Sequence, residues 1–165
     1  MKKNALKKIL GLMLIIALLA APISALAASK TAYILKVSAT PAAYLRSYSS
    51  GSNSQIIDSL RTGTKVIYWG TKKDQMLKVM TASGETGYCY QGNLKVYGAV
   101  KTSQIYRTNS SAAVYKRSGS SMKKIGTVKK NTMVFVYGTR GSYSLVKNLA
   151  GKSGYIKTSK LKKAI

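Results

Sequence analysis

A short phrase occurs twice in this chain and determines how the rest can be divided. Residues 84–95 read GETGYCYQGNLK, and residues 151–162 read GKSGYIKTSKLK. Extending the match aligns residues 30–47 with 101–118 without a gap, 56–70 with 124–138, and 76–95 with 143–162. The chain is therefore one module of about 68 residues used twice, since self-similarity at a fixed period indicates a repeated structural unit.

Each module is predicted to consist of short β-strands. Residues 64–69 and 132–137 are β-branched and aromatic and are bounded by turn residues, a pattern typical of strands. No segment after residue 28 has the 3.6-residue periodicity of an amphipathic helix. The sequence predicts an all-β protein of two tandem small β-barrels, because closing a sheet removes its exposed edges.

The N-terminus has the layout of a helical secretory signal peptide. A basic stretch precedes the apolar run 9–20, Pro22 interrupts that run, and residues 25–27 form a small-x-small cleavage site ending at Ala27. The alternative is an uncleaved anchor, because residues 9–28 carry no charge and are about long enough to span a bilayer. We expect a secreted or wall-associated protein, divided into a signal peptide (1–28), a first module (29–97) and a second module (98–165).

Charge is distributed unevenly between the modules. The chain has 28 Lys and Arg against three acids, and its formal net charge is +25. Residues 30–95 carry nine bases and all three acids, whereas residues 101–165 carry fifteen bases and no acid. Such a field attracts polyanions: nucleic acid, an anionic membrane or an anionic wall polymer. Export makes nucleic acid the weakest of these partners, and a membrane is expected only if the signal peptide stays uncleaved.

The residue inventory argues against catalysis. Without histidine, the Cys-His and Ser-His-Asp nucleophile systems and histidine-based zinc sites cannot form. Asp58, Asp74 and Glu85 could in principle supply a glycosidase pair, but none recurs in the second module, which favours solvated surface acids. Cys89 aligns with Ile156, so a buried apolar role is favoured over a reactive or intermolecular thiol. We expect no enzyme activity, no cofactor and no metal.

The ordered motifs of both modules resemble the bacterial SH3 (SH3b) domain. The second module reads KKIGTVKKNTMVFVYG and then YSLVKNLAGKSGYIKTSKLK, which is similar to the family's strand, basic turn, Val-x-Val strand, Trp-x-Lys-Val strand, Gly-x-x-Gly-aromatic turn and closing Leu. The resemblance covers residues 30–163. It implies a small, mostly antiparallel barrel that binds ligands without catalysis and commonly targets exported hydrolases to the cell wall. The family's tryptophan in Trp-x-Lys-Val is replaced here by Met76 and Tyr143.

Strand alternation leaves two interpretations of the central strands. Val66 and Tyr68, like Val134 and Val136, are predicted to face the barrel cores, so the residues between and after them face outward. In both modules those outward positions are an apolar residue and a large aromatic: Ile67 with Trp69, and Phe135 with Tyr137. They either form a ligand platform or pack the modules together, and their presence in both repeats slightly favours packing.

The predicted ligand residues combine aromatic and basic side chains. They are Tyr143, Met76, Trp69 and Tyr137, with Lys123, Lys124, Lys129 and Lys130 as the electrostatic contribution. The expected partner is the bacterial cell wall, through peptidoglycan peptides or glycan or through teichoic acid, held with avidity by two modules. Two alternatives are an accessory protein that docks onto a wall hydrolase and a cationic effector of foreign membranes. No amphipathic segment outside the signal peptide supports the second.

Overall fold

The computed structural model describes residues 31–49 and 54–165, and the predicted signal peptide lies outside them. Within those ranges the regular structure is antiparallel β-sheet with three short 3₁₀ turns, and no helix there is long and apolar enough to cross a membrane. The strands are β1 (Thr31–Val37), β2 (Ala42–Arg46), β3 (Ile56–Arg61), β4 (Lys65–Lys73), β5 (Met76–Met80), β6 (Thr86–Tyr90), β7 (Leu94–Lys101), β8 (Ile105–Thr108), β9 (Ala112–Ser118), β10 (Ser121–Val128), β11 (Met133–Arg140), β12 (Tyr143–Lys147), β13 (Ser153–Lys157) and β14 (Leu161–Lys163).

The fourteen strands form two seven-stranded sheets with the same neighbour order. The first runs β3-β2-β6-β5-β4-β1-β7 and the second runs β10-β9-β13-β12-β11-β8-β14. The predicted all-β fold of two modules is thereby confirmed. We call β1–β7 the first module and β8–β14 the second; the chain passes between them through the turn Thr102–Gln104. The predicted limits of the two modules, 29–97 and 98–165, stay predictions.

One apolar core fills the first module. All seven strands contribute side chains to it, so the sheet must curl into a small barrel even though its edge strands are not paired with each other. Cys89 is fully buried there, which confirms its predicted core position. The buried residues are Leu35, Val37, Ala43, Leu45, Leu60, Val66, Tyr68, Leu77, Val79, Cys89 and Leu94.

The core of the second module is smaller. Its buried apolar residues are Ala112, Val134, Val146 and Ile156, and five half-buried side chains pack around them: Tyr106, Val114, Val128, Val136 and Leu161. These also come from all seven strands, so the second sheet curls in the same way. Leu94 and Leu161 each follow a 3₁₀ turn and pack on their module's core.

The two glycines of the repeated Gly-x-x-Gly-Tyr motif are required for different structural reasons. Its first glycine, Gly84 or Gly151, has a positive φ (+82° and +90°) in the turn before β6 or β13, a conformation that L side chains rarely adopt. Its second glycine, Gly87 or Gly154, lies where that strand crosses the neighbouring strand closely. A Cβ on Gly87 would lie 2.7 Å from the Arg46 carbonyl oxygen, so the phrase marks a turn followed by a close strand contact.

The ungapped alignment of residues 30–47 with 101–118 is wrong beyond β1 and β8. Ala43 pairs with Leu60 and Ala112 pairs with Val128, so Ala43 corresponds to Ala112 rather than to Val114. Val37 corresponds to Thr108, since each pairs with the closing leucine of its module, so the chain between that position and the equivalent alanine is two residues shorter in the second module. Tyr115 therefore corresponds to Arg46, since they face Tyr155 and Tyr88 respectively.

A third apolar cluster joins the modules, and we call it the shared core. It consists of Ala32, Ile67, Met80, Val100, Ile105, Met133, Phe135 and Leu149, with Ile34, Trp69 and Ala164 packed against it. The Met133 N–H donates to the Ala82 carbonyl oxygen at 2.9 Å, and a Cβ on Gly84 would collide with the carbonyl oxygen of Asn131. The outward faces of Ile67 and Phe135 thus pack the modules together, which confirms the interpretation that the repeats slightly favour.

Candidate functional site: a tyrosine platform and a basic cleft

Tyr143, a predicted ligand residue, lies on an aromatic surface of the second module. Its ring meets that of Tyr115 edge-to-face, with centroids 5.4 Å apart and planes at 78°. Tyr155 lies directly opposite Tyr115 on the adjacent strand β13. We call Tyr115, Tyr143 and Tyr155 the tyrosine platform. All three are half-buried, so each ring is anchored and still partly accessible to a ligand.

Lys124 borders the tyrosine platform. It lies directly opposite Tyr115 across the β9–β10 pair, and directly opposed residues project from the same face of a sheet. The structure therefore brings two predicted site residues, Tyr143 and Lys124, to one face through Tyr115. Sequence analysis missed Tyr115 and Tyr155 as site residues, because only the strand register places them beside Tyr143.

The first module does not reproduce this platform. Met76 is half-buried at the start of β5 and pairs with Tyr90. Arg46 and Lys78 flank Tyr88 at the positions equivalent to Tyr115 and Leu145. At the place of the tyrosine platform, the first module therefore has Tyr88 between Arg46 and Lys78.

The other two predicted aromatic residues take different positions. Trp69 is half-buried against the shared core, so packing between the modules accounts for it. Tyr137 lies in β11 at a register shift between Val136 and Gly138 and is 53% exposed. Tyr137 thus remains available to a ligand, whereas much of the Trp69 ring is occupied by the protein itself.

The four predicted lysines are exposed and divide into two groups. Lys123 and Lys124 lie on β10, one of the two edge strands of the second sheet, while Lys129 and Lys130 lie in the turn between β10 and β11. Lys123 is directly opposite Lys116, and Met122 is opposite Arg117. Lys116, Arg117, Ser118, Lys123 and Ile125 line a cleft of about 470 Å³, which we call the basic cleft.

The basic cleft brings like charges together without compensation from its own module. Directly opposed like charges destabilise a strand pair, and residues 101–165 contain no Asp or Glu that could neutralise them. An anion placed between Lys116 and Lys123 would relieve this repulsion. The arrangement is therefore suited to phosphate or carboxylate groups.

The lone thiol is poorly suited to nucleophilic chemistry. Burial raises the pKa of the Cys89 thiol to about 11, so little thiolate exists near neutral pH. The three acids lie in the first module, and Asp58 Oδ1 accepts from the Ser59 N–H at 2.7 Å. Among the described residues no three His, Cys, Asp or Glu side chains are grouped closely enough to hold a metal ion.

Comparison with known proteins gives only distant similarity. The chain is similar to the structure of NlpC2 from Trichomonas vaginalis, with 14% identity and a TM-score of 0.36 over 81% of this chain. It is also similar to NlpC1 from the same organism, with 15% identity and a TM-score of 0.36 over 83% of this chain. The chain covers 49% of each of those chains. At this similarity neither match carries an argument about function. No protein-family model matches the sequence, and a search of curated proteins finds no match.

Proposed function

We propose that this protein is an exported, noncatalytic binding protein whose two SH3b-like modules hold peptidoglycan or an anionic wall polymer such as teichoic acid. The observation that carries this proposal is the tyrosine platform with Lys124 beside it, on a module of fifteen bases and no acid. Aromatic faces stack on sugar rings and peptide planes, and the surrounding cations attract a polyanion over a longer range. The absence of histidine and the buried Cys89 thiol support a noncatalytic role.

The alternative, an accessory protein that docks onto a wall hydrolase, is less favoured because the surface expected to contact the hydrolase is buried between the modules. That alternative expects the apolar outward face of the central strands to be covered by a partner. Ile67 and Phe135, which form that face, are 0% and 2% exposed because the modules cover each other. The platform and the cations are instead accessible on the second module, which favours a wall ligand.

A sedimentation assay with purified Gram-positive sacculi tests the proposal. The protein from Ala28 onward is mixed with sacculi that retain or lack teichoic acid, from low to high salt. We expect Tyr143→Ala to weaken binding by about three- to tenfold, the range that loss of an aromatic contact gives. Lys124→Gln should lower the steepness of the salt dependence, because fewer counterions are released.

Tyr90→Ala provides a matched control, since Tyr90 is a 45% exposed tyrosine of the first module outside the platform. Binding lost with teichoic acid removal would identify the phosphate polymer as the ligand, and binding that persists would identify peptidoglycan. Failure to sediment with either preparation at any salt concentration would refute the proposed function. An equal loss in Tyr143→Ala and Tyr90→Ala would refute the placement of the site.

A further inference from the structure

The second module contains an apolar pocket that the proposed function does not use. Its volume is about 340 Å³, and its floor is formed by Val134, Val146 and Ile156 of the small core. Val114, Val128 and Ile125 form its wall on the β9–β10 side. The pocket therefore leads from the surface into the interior of the barrel.

The pocket exists because this module fills its core with smaller side chains. Leu45 and Leu60, both buried in the first module, correspond to Val114 and Val128. In the first module Ile57 Cδ1 lies 2.9 Å from where a Cβ on Gly87 would be, so this 39% exposed side chain packs closely over the strand crossing. Its counterpart Ile125 lies 4.0 Å from the corresponding point on Gly154 and is 53% exposed, which leaves the pocket open.

Polar atoms of Asn148 and Lys152, which line the pocket, form hydrogen bonds with each other. Asn148 Oδ1 accepts from the Lys152 N–H at 2.9 Å, and the Asn148 N–H donates to the Lys152 carbonyl oxygen at 3.0 Å. In the described part of the chain, the buried side-chain polar atoms without a partner are Gln91 Oε1 and Arg107 Nε, and neither residue lines the pocket. An apolar occupant fits these surroundings better than a polar one.

The pocket adjoins the basic cleft. Ile125 lines both, and Val114 of the pocket wall lies two residues before Lys116 of the cleft, on the same face of β9. Lys116, Lys123 and Arg117 thus lie at the mouth of an apolar cavity. We propose that the second module binds a single-chain anionic amphiphile, with its alkyl chain in the pocket and its head group between these cations. Val114 and Lys116 project from the face of β9 opposite to Tyr115, so this site is separate from the tyrosine platform.

Titration calorimetry with decyl phosphate below its micelle concentration tests this site on the chain from Ala28 onward. Inorganic phosphate supplies the head group alone, and decyl maltoside supplies the chain with a neutral head. We expect decyl phosphate to bind at least tenfold more tightly than either. Across octyl, nonyl and decyl phosphate, affinity should rise by up to about fourfold per methylene buried.

The first module supplies the pocket-filling variant. Val114→Leu combined with Val128→Leu installs the leucines of the first module, and we expect at least tenfold weaker decyl phosphate binding with an unchanged or higher melting temperature. If the double variant does not fold, Val128→Leu alone gives the same test with a smaller loss of binding.

Lys116→Gln combined with Lys123→Gln tests the cations. This variant should bind decyl phosphate more weakly and bind decyl maltoside as the unaltered protein does. Lys72→Gln with Lys73→Gln, the same charge change on exposed β4 residues of the first module, should have little effect.

Three results would overturn the proposal. The first is a folded pocket-filled variant that binds decyl phosphate as well as the unaltered protein does. The second is binding to anionic phospholipid vesicles without binding to the soluble amphiphile, which would indicate a membrane surface interaction. The third is an acidic peptide with an aliphatic residue that binds more tightly than decyl phosphate, which would indicate a peptide site on the free edge of β10. Sacculus binding through the platform should persist in the pocket-filled variant, so failure of one proposal is distinguishable from failure of the other.

Discussion

The two modules share one strand order but are stabilised differently. The first encloses eleven buried residues in its own core, whereas the second encloses four. At equivalent positions Leu77 is replaced by Ser144, whose hydroxyl bonds with the Thr158 hydroxyl at 2.9 Å, and Tyr68 is replaced by Val136. A conserved topology thus does not require a conserved core volume, because hydrogen bonds and a neighbouring module can supply part of the stabilisation.

The second module obtains much of its apolar burial from the shared core. Ile105, Met133, Phe135 and Leu149 are buried there, as many residues as in its own core. This module also has the larger positive charge, the tyrosine platform and the basic cleft. The comparison indicates that the first module supports a second module with a smaller core of its own, and that this second module has the surfaces proposed to bind ligands.

Loss of Phe135 is expected to give the largest effect on this relationship. Phe135→Ala removes a 2% exposed ring from the shared core and should lower the free energy of unfolding by about 3–5 kcal/mol. Urea unfolding followed by Trp69 fluorescence measures the change, since Trp69 belongs to the first module and packs on the shared core. Tyr137→Ala, two residues along the same strand and 53% exposed, should change stability by less than about 0.5 kcal/mol. A Phe135→Ala loss as small as that of Tyr137→Ala would show that the modules are stable independently.

The reactivity of a thiol placed in each core measures how accessible that core is to a reagent, and Cys89 provides the thiol in the first core. The raised pKa of Cys89, about 11 against the usual 9.0, lowers its thiolate fraction near pH 8 by about 100-fold. We expect iodoacetamide to alkylate Cys89 at least that much more slowly in the folded chain than in urea. Because Cys89 holds its proton more tightly when folded, its contribution to stability is complete below about pH 9 and is lost as pH rises toward 11.

Moving the thiol to the second core completes this comparison. Ile156, the counterpart of Cys89, lines the open pocket. In Cys89→Ala combined with Ile156→Cys, the thiol should react faster than Cys89 does in the unaltered protein, and both should react equally in urea. Equal rates in the folded proteins would contradict the inference that the second core is the more open one.

The sequence contained enough information to predict the fold but not the detailed register. Strand alternation correctly predicted that Val66 and Tyr68 face the core of the first module and that Ile67 faces the other way, because successive side chains of a strand point to opposite faces. The apolar pattern did not reveal the error in the alignment of β2 with β9, because the alignment is displaced by two residues. A shift by one residue reverses which face is apolar, whereas a shift by two preserves the pattern. Chance identities such as Ser47 with Ser118 then favoured the ungapped alignment.

The site was less predictable because it depends on contacts between strands. Trp69 and Tyr137 occupy equivalent positions, yet one packs on the shared core and the other is exposed. Tyr155 lies beside the strand of Tyr143 through the pairing of β12 with β13, and Tyr115 joins them through the pairing of β9 with β13. Lys116 and Lys123 oppose each other only through the β9–β10 register. Composition predicted a basic module, but the arrangement of its cations required the hairpin geometry.

The two strand-crossing glycines provide the finest comparison between the modules. At Gly87 a new methyl would meet the Arg46 carbonyl oxygen at 2.7 Å and Leu45 Cγ at 2.8 Å, so the backbone of β2 must move. At Gly154 it would meet Val114 Cγ1 at 2.5 Å, a side chain that can rotate toward the pocket, and the nearest backbone atom, the Tyr115 carbonyl oxygen, is farther away at 3.2 Å. We expect Gly87→Ala to cost about 2–3 kcal/mol in urea unfolding and Gly154→Ala about 1 kcal/mol.

The smaller of these two effects also bears on the pocket. If Val114 relieves the Gly154→Ala clash by turning inward, it occupies the space proposed for the alkyl chain, and decyl phosphate should bind more weakly. Gly87→Ala should leave that binding unchanged in protein that remains folded. A larger stability loss at Gly154 than at Gly87 would mean that the second core has no room to adjust, which would contradict the structural basis of the pocket.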